Sequence, residues 1–137
     1  MRKNFFAVVM FLLGVANVNA DRLVGGDLSM VPAYETSGDQ WLDAKGEGVN
    51  DLLTYVKEQC GWNAVRVRLF VDPSKDAYKS TCQDLDYVKS LGKRIKDAGM
   101  AFLLDFHYSD TWADPGTQQI PASWTDHTQS GLCKSVF

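Results

Sequence analysis

The chain is short of the residues that several classes of protein require. Its 137 residues include 4 prolines, 3 cysteines and 2 histidines. So little proline excludes a collagen-like or proline-rich low-complexity chain. Fourteen lysines and arginines stand against seventeen acidic groups, a formal net charge of -3. No surplus of cations exists to neutralise a phosphate backbone, and nucleic acid is not an expected partner. Cys60, Cys82 and Cys133 lie far apart, with no C-x-x-C pair. That spacing does not suit a metal, and no metal or other cofactor is expected. An odd number of cysteines leaves at least one thiol unbridged. Glutamate is scarce as well, with only Glu35, Glu47 and Glu58.

What remains is globular composition, 45% hydrophobic and 23% charged. Residues 1–20, MRKNFFAVVMFLLGVANVNA, read as a signal peptide. Arg2 and Lys3 give the positive start, Phe5 to Val15 the apolar stretch, and Val18-Asn19-Ala20 a small-residue cleavage site. The apolar stretch falls short of the ~20 residues a bilayer needs, so no stable membrane span is expected. The expected fate is export, to a secreted, periplasmic or surface-attached location.

Three short apolar runs begin near Val24, Ala64 and Met100, with helical patterns between them. This spacing suits consecutive β-α units of an α/β protein. The first run is followed by a long segment, Pro32 to Gly48, expected as a loop and a candidate binding element. Leu52, Leu53, Val56 and Cys60 recur on one face of a predicted helix capped by Asn50, with Asp51 favouring its positive end. Leu85, Val88, Leu91, Ile95 and Ala98 form the stripe of a second helix, opened by a Thr81/Asp84 capping pair and closed by Gly99.

Alternation in the second strand, AVRVRLFVDP, places Val65, Val67, Leu69 and Val71 on one face and Arg66, Arg68 and Phe70 on the other. The third, MAFLLDFHYSD, places Leu103, Asp105 and His107 opposite Phe102, Leu104 and Phe106. Right-handed connections make these strands parallel, so their carboxyl ends share one side, where α/β proteins bind ligands. Asp27, Arg66, Arg68, Asp105 and His107 are thereby expected on one polar rim. Periodicity alone leaves two folds open, a doubly wound sheet and a (β/α) barrel.

The segments GGDLSMVPAYE, WNAVRVRLFVDP and DAGMAFLLDFHYSDTWADPGTQQIPASW resemble, in this order, the start of glycoside hydrolase family 53. The resemblance runs from Val24 to Trp124 and implies the first three or so β-α units of a (β/α)8 TIM barrel. It also implies an endo-β-1,4-galactanase acting by retaining double displacement on galactan and arabinogalactan side chains of plant pectin. In that family one catalytic glutamate follows the fourth barrel strand in an Asn-Glu pair and the other ends the seventh. None of Glu35, Glu47 and Glu58 follows an asparagine, so no residue here is assigned a catalytic role and the chain alone is expected to be inactive.

By the same resemblance Arg66 holds the nucleophilic carboxylate, and His107 contacts the sugar beside the cleaved bond. Asp105 orients its neighbours. Asp27 bonds either sugar hydroxyls or Arg66, and Arg68 has a supporting or a purely structural role. Trp112 either stacks on galactose or packs against Pro115 and Pro121, a choice that Tyr34, Trp41 and Trp124 share. The organisation expected is a leader over 1–20, the start of a barrel over 21–124, and an atypical truncated tail over 125–137, TDHTQSGLCKSVF, with little helical periodicity. The alternative to an enzyme is a non-catalytic galactan-binding or vestigial product of a truncated gene.

Overall fold

A computed structural model describes residues 22–76 and 80–136. The expected leader lies outside them. Three parallel strands, β1 (Gly25–Asp27), β4 (Ala64–Leu69) and β5 (Ala101–Phe106), form one sheet in the order β1-β4-β5. Asp27 lies beside Arg66, and Arg68 beside Asp105. The parallel sheet follows from its connections, because strands joined through helices enter from the same end.

Helices α2 (Leu52–Glu58) and α3 (Leu85–Asp97) build the core against one face of this sheet. Leu53 and Val56 from α2, Val65 and Val67 from β4, and Val88, Leu91 and Ile95 from α3 are buried together, with Met100 at the entry to β5. The valine alternation of β4 supplies this packing, which frees the other face for Arg66 and Arg68. Gly25 is dictated by close approach, since a Cβ there would lie 1.8 Å from the Ala64 carbonyl oxygen. Gly99, at φ +72°, takes the left-handed turn after α3.

Three local expectations are corrected. The N-cap of α2 is Asp51, whose carboxylate accepts from the Leu53 amide at 3.1 Å, so Asn50 lies outside the helix. Asp84 caps α3 through the Tyr87 amide at 2.9 Å, while Thr81 donates to Asp76 at 3.1 Å and takes no part in a capping box. The Pro32 to Gly48 segment is not a plain loop. It carries helix α1 (Val31–Ser37) and an antiparallel ribbon of β2 (Trp41–Leu42) and β3 (Gly48–Val49). The Asp43 carboxylate folds the ribbon's turn, accepting from the Lys45 and Glu47 amides at 2.8 Å each.

The tail differs too. Helix α4 (Gln129–Val136) forms without an apolar stripe. Thr128 starts it, its hydroxyl accepting from the Gly131 amide at 3.1 Å and its carbonyl from Leu132 at 2.9 Å. No helix of the described residues is long and apolar enough to cross a membrane.

Candidate functional site at the strand ends

The polar rim expected from alternation is assembled at the carboxyl ends of β1, β4 and β5. Asp27 closes β1, and its Oδ1 accepts from the Ser29 amide at 3.0 Å and from Arg68 Nη2 at 2.9 Å. Its Oδ2 lies 3.3 Å from Arg66 Nη1. Arg66 also pairs through Nη2 with Asp105 Oδ2, and His107 Nε2 approaches that same oxygen at 3.3 Å. A continuous chain of paired polar groups thus runs Arg68, Asp27, Arg66, Asp105, His107. Two carboxylates on one guanidinium fix its plane, as charge-assisted bonds do best.

The electrostatics suit holding better than proton transfer. Burial raises the pKa of Asp27, but hydrogen bonds from Ser29 and the charge of Arg68 outweigh it and hold the carboxyl below its ordinary 3.8. Asp27 therefore stays ionised at neutral pH and is a poor acid. Asp105 is committed to Arg66 and His107.

Aromatic groups wall the rim. The Trp112 ring lies under the Arg68 guanidinium, 4.4 Å from centroid to Cζ, a cation–π contact. It meets His107 and Phe70 edge-on at 5.8 and 5.7 Å. Phe70 itself is buried and lies 4.7 Å from the His107 ring. The loop bearing Trp112 is tied at its base, where Asp110 Oδ2 accepts from the Ala122 amide at 2.8 Å. Beside it opens a cavity of about 570 Å³ lined by Arg66, Asp105, His107, Tyr108, Pro121 and Trp124, among others. A polar floor with aromatic walls is the surface a sugar ring requires, hydroxyls to one side and C–H faces to the other.

The six residues expected at the site, Asp27, Arg66, Arg68, Asp105, His107 and Trp112, are in mutual contact through these bonds and rings. Tyr34 and Trp41 are not among them. They pair edge-on with each other at 5.7 Å, whereas Trp124 stacks obliquely near Tyr108 and lines the cavity. Ser29 is the residue that sequence reasoning overlooked. Fully buried, its hydroxyl accepts from both the amide and Nε of Arg68, at 2.9 and 3.2 Å. Its position two residues beyond a strand-ending aspartate was the available signal, because short polar side chains there bond the adjoining backbone.

None of the three glutamates reaches the rim. Glu35 on α1 is gripped by both Arg94 nitrogens at 2.8 and 2.9 Å, and Glu47 and Glu58 line a separate groove between the ribbon and α2. Among the described residues no three His, Cys, Asp or Glu groups are placed to hold a metal ion.

Comparison with known proteins bears on this geometry. A probable arabinogalactan endo-β-1,4-galactanase A from Aspergillus terreus is 42% identical over 113 residues, covering 82% of this chain and 30% of that protein. An endo-β-1,4-galactanase from Bacillus subtilis is 38% identical over 120 residues, 85% of this chain and 28% of its own length. Among solved structures, the catalytic domain of a family 53 glycoside hydrolase from Ignisphaera aggregans superposes with a TM-score of 0.73 at 32% identity, covering 89% of this chain and 34% of that one. A fungal β-1,4-galactanase superposes at 0.67 with 36% identity, covering 82% and 31%. The chain spans about 30% of the length of the curated relatives it matches. Its parallel sheet corresponds to part of their (β/α)8 barrels, which closes the choice that periodicity left open. With the family description Glycosyl hydrolase family 53 matched from residue 23 to residue 137, across all three strands and the charged rim they carry, the chain belongs to that family.

Proposed function

We propose that this chain carries the sugar-positioning part of an exported endo-β-1,4-galactanase that cleaves galactan and arabinogalactan chains of plant pectin. The observation that carries the reading is the Asp27–Arg66–Asp105–His107 chain at the strand ends, facing an aromatic-walled cavity. Support comes also from the relatives, whose names specify β-1,4-galactan or arabinogalactan as what they act on.

Retaining hydrolysis needs one carboxyl as nucleophile and another as acid/base, about 5 to 5.5 Å apart across the glycosidic bond. Asp27 and Asp105 do not fit these roles, since both are bound to Arg66 between them. The reacting carboxyls therefore come from polypeptide outside these 137 residues. Arg66, immobilised from two sides, keeps a guanidinium edge where it can hold an incoming carboxylate ionised and aimed at the anomeric carbon. His107 orders a hydroxyl of the sugar at the cleaved bond, and Trp112 offers it an apolar surface. Residues 1–20 direct the protein out of the cell.

The test is a graft. Residues 23–137 replace the matched segment of the Bacillus subtilis relative, and reducing-sugar release from β-1,4-galactan is measured for the graft and for the 137-residue chain alone. Cleavage by the graft only is the expected result. A graft with a cooperative thermal transition and no galactan cleavage overturns the reading, as does turnover by the chain alone.

A further inference from the structure

A second cavity, about 300 Å³, adjoins the rim between β1, α1 and the ribbon. Tyr34, Trp41, Met30, Asp27 and Arg68 contribute to its walls. Its size is at the low end for small-ligand pockets, enough for one ring and not for a long chain. One observation marks it as more than a packing defect. The Trp41 indole Nε1 is buried and donates to nothing, although buried indole N–H groups ordinarily find a partner. Asp27 also contributes to the wall, its Oδ2 held 3.3 Å from Arg66 Nη1.

The chemistry of the walls selects a ligand. Trp41 supplies a donor and an aromatic surface, Tyr34 a second ring set edge-on to it, and Asp27 and Arg68 a charged pair that both accepts and donates. A purely apolar ligand would leave the indole N–H unpaired, and an anion would meet the Asp27 carboxylate. A neutral ring bearing several hydroxyls, each able to donate and accept, answers every group present. Arg68 joins the two cavities, because its guanidinium borders this one and also covers Trp112 at the rim.

We infer that the Trp41–Tyr34 cavity is a further sugar subsite, taking a single galactosyl unit beside the strand-end site. The inference rests on the proposed galactanase function for the identity of the sugar. All of its walls come from elements within the described residues, so binding can be read on the full chain without the missing carboxyls.

The experiment titrates ¹⁵N-labelled full chain with β-1,4-galactotetraose and follows the Trp indole signals, that of Trp41 being identified by its disappearance in Trp41→Phe. The Trp41 resonance is expected to shift on saturation, and Trp41→Phe, which keeps an aromatic ring and removes the donor, is expected to weaken binding about 3-fold or more, the loss of at least one hydrogen bond. A tetraose that shifts Trp112 and leaves Trp41 in place overturns the subsite, and so does absence of binding. Either result leaves the galactanase reading standing if the graft cleaves galactan. Failure of the graft together with a Trp41 shift would leave a sugar pocket without the hydrolase.

Discussion

Replacing Ser29 by alanine removes one oxygen and strands two donors. The Ser29 hydroxyl accepts from the Arg68 amide at 2.9 Å and from Arg68 Nε at 3.2 Å. The residue is fully buried and the Arg68 side chain is 15% exposed, so water is poorly placed to take over. A buried donor left unsatisfied costs about 1–3 kcal/mol, and a bond from a charged donor is worth about 1.5–3. Arg68 keeps its pair with Asp27, which puts the second loss at the lower end. The sum is about 2.5–4.5 kcal/mol. With a urea m-value of about 2 kcal/mol/M, the unfolding midpoint should fall by about 1–2 M. Urea denaturation followed by circular dichroism measures it. Tyr87→Phe is the internal comparison, since the phenol donates to the Ser29 carbonyl at 2.8 Å and accepts from the Ala33 amide at 3.3 Å, neither bond involving a charged group. Its shift should be the smaller of the two. A Ser29→Ala midpoint within about 0.3 M of wild type, at unchanged m, would refute the view that this hydroxyl holds Arg68 in place.

In the galactanase graft, Arg66→Ala should lower kcat about 10²-fold or more while changing KM little, because its task is aligning a reacting group; unchanged turnover would remove it from the site. Gly25→Ala should destabilise the protein by about 3 kcal/mol or more, because the Ala64 carbonyl sits where the methyl must go and belongs to the neighbouring backbone; a normal thermal midpoint would contradict that contact. The Asp27 carboxyl, held below 3.8 when folded, contributes stability that is present above that pH and lost as pH falls through the lower folded value. Urea midpoints of wild type should therefore drop below pH 3.8 more steeply than those of Asp27→Asn, and parallel curves would count against the assignment. Cys60, exposed beyond α2, and Cys82, with Sγ 3.8 Å from Met30 Sδ at the opposite end of the strands, should stay unlinked; a Cys60–Cys82 peptide in a non-reducing digest would show one of the two to be misplaced.

Alternation made the site legible before any coordinates. In β4 the valines need a helix-covered face, and that requirement alone turns Arg66 and Arg68 to the other side, where Asp27 and Asp105 from neighbouring strands must meet them. The same logic does not reach short elements. Helix α1 has seven residues and the ribbon strands two each, too few for a period to register, and both depend on local bonds such as those to Asp43. Caps went astray for a related reason, since neighbouring polar residues compete and only the final geometry chooses Asp51 over Asn50. The seat of Trp112 under Arg68 was out of reach because it joins residues 44 positions apart through a loop with no periodicity.

The diagonal course of the charged chain has a consequence for assembly. Hydrophobic alternation forbids a one-residue slip between parallel strands, which would turn every side chain over, but a two-residue slip preserves inside and outside alike. Here Arg66 lies directly beside Asp27 and Leu103, and reaches Asp105 two positions farther along; Arg68 likewise reaches back to Asp27. A slip that put Ala64 beside Asp27 would move Arg68 four positions from that carboxylate, and one that put Arg66 beside Ala101 would move it four positions from Asp105. The charges of the strand-end rim therefore also act as a key for strand registration, telling the observed alignment from two-residue slips that hydrophobic patterning alone leaves equivalent.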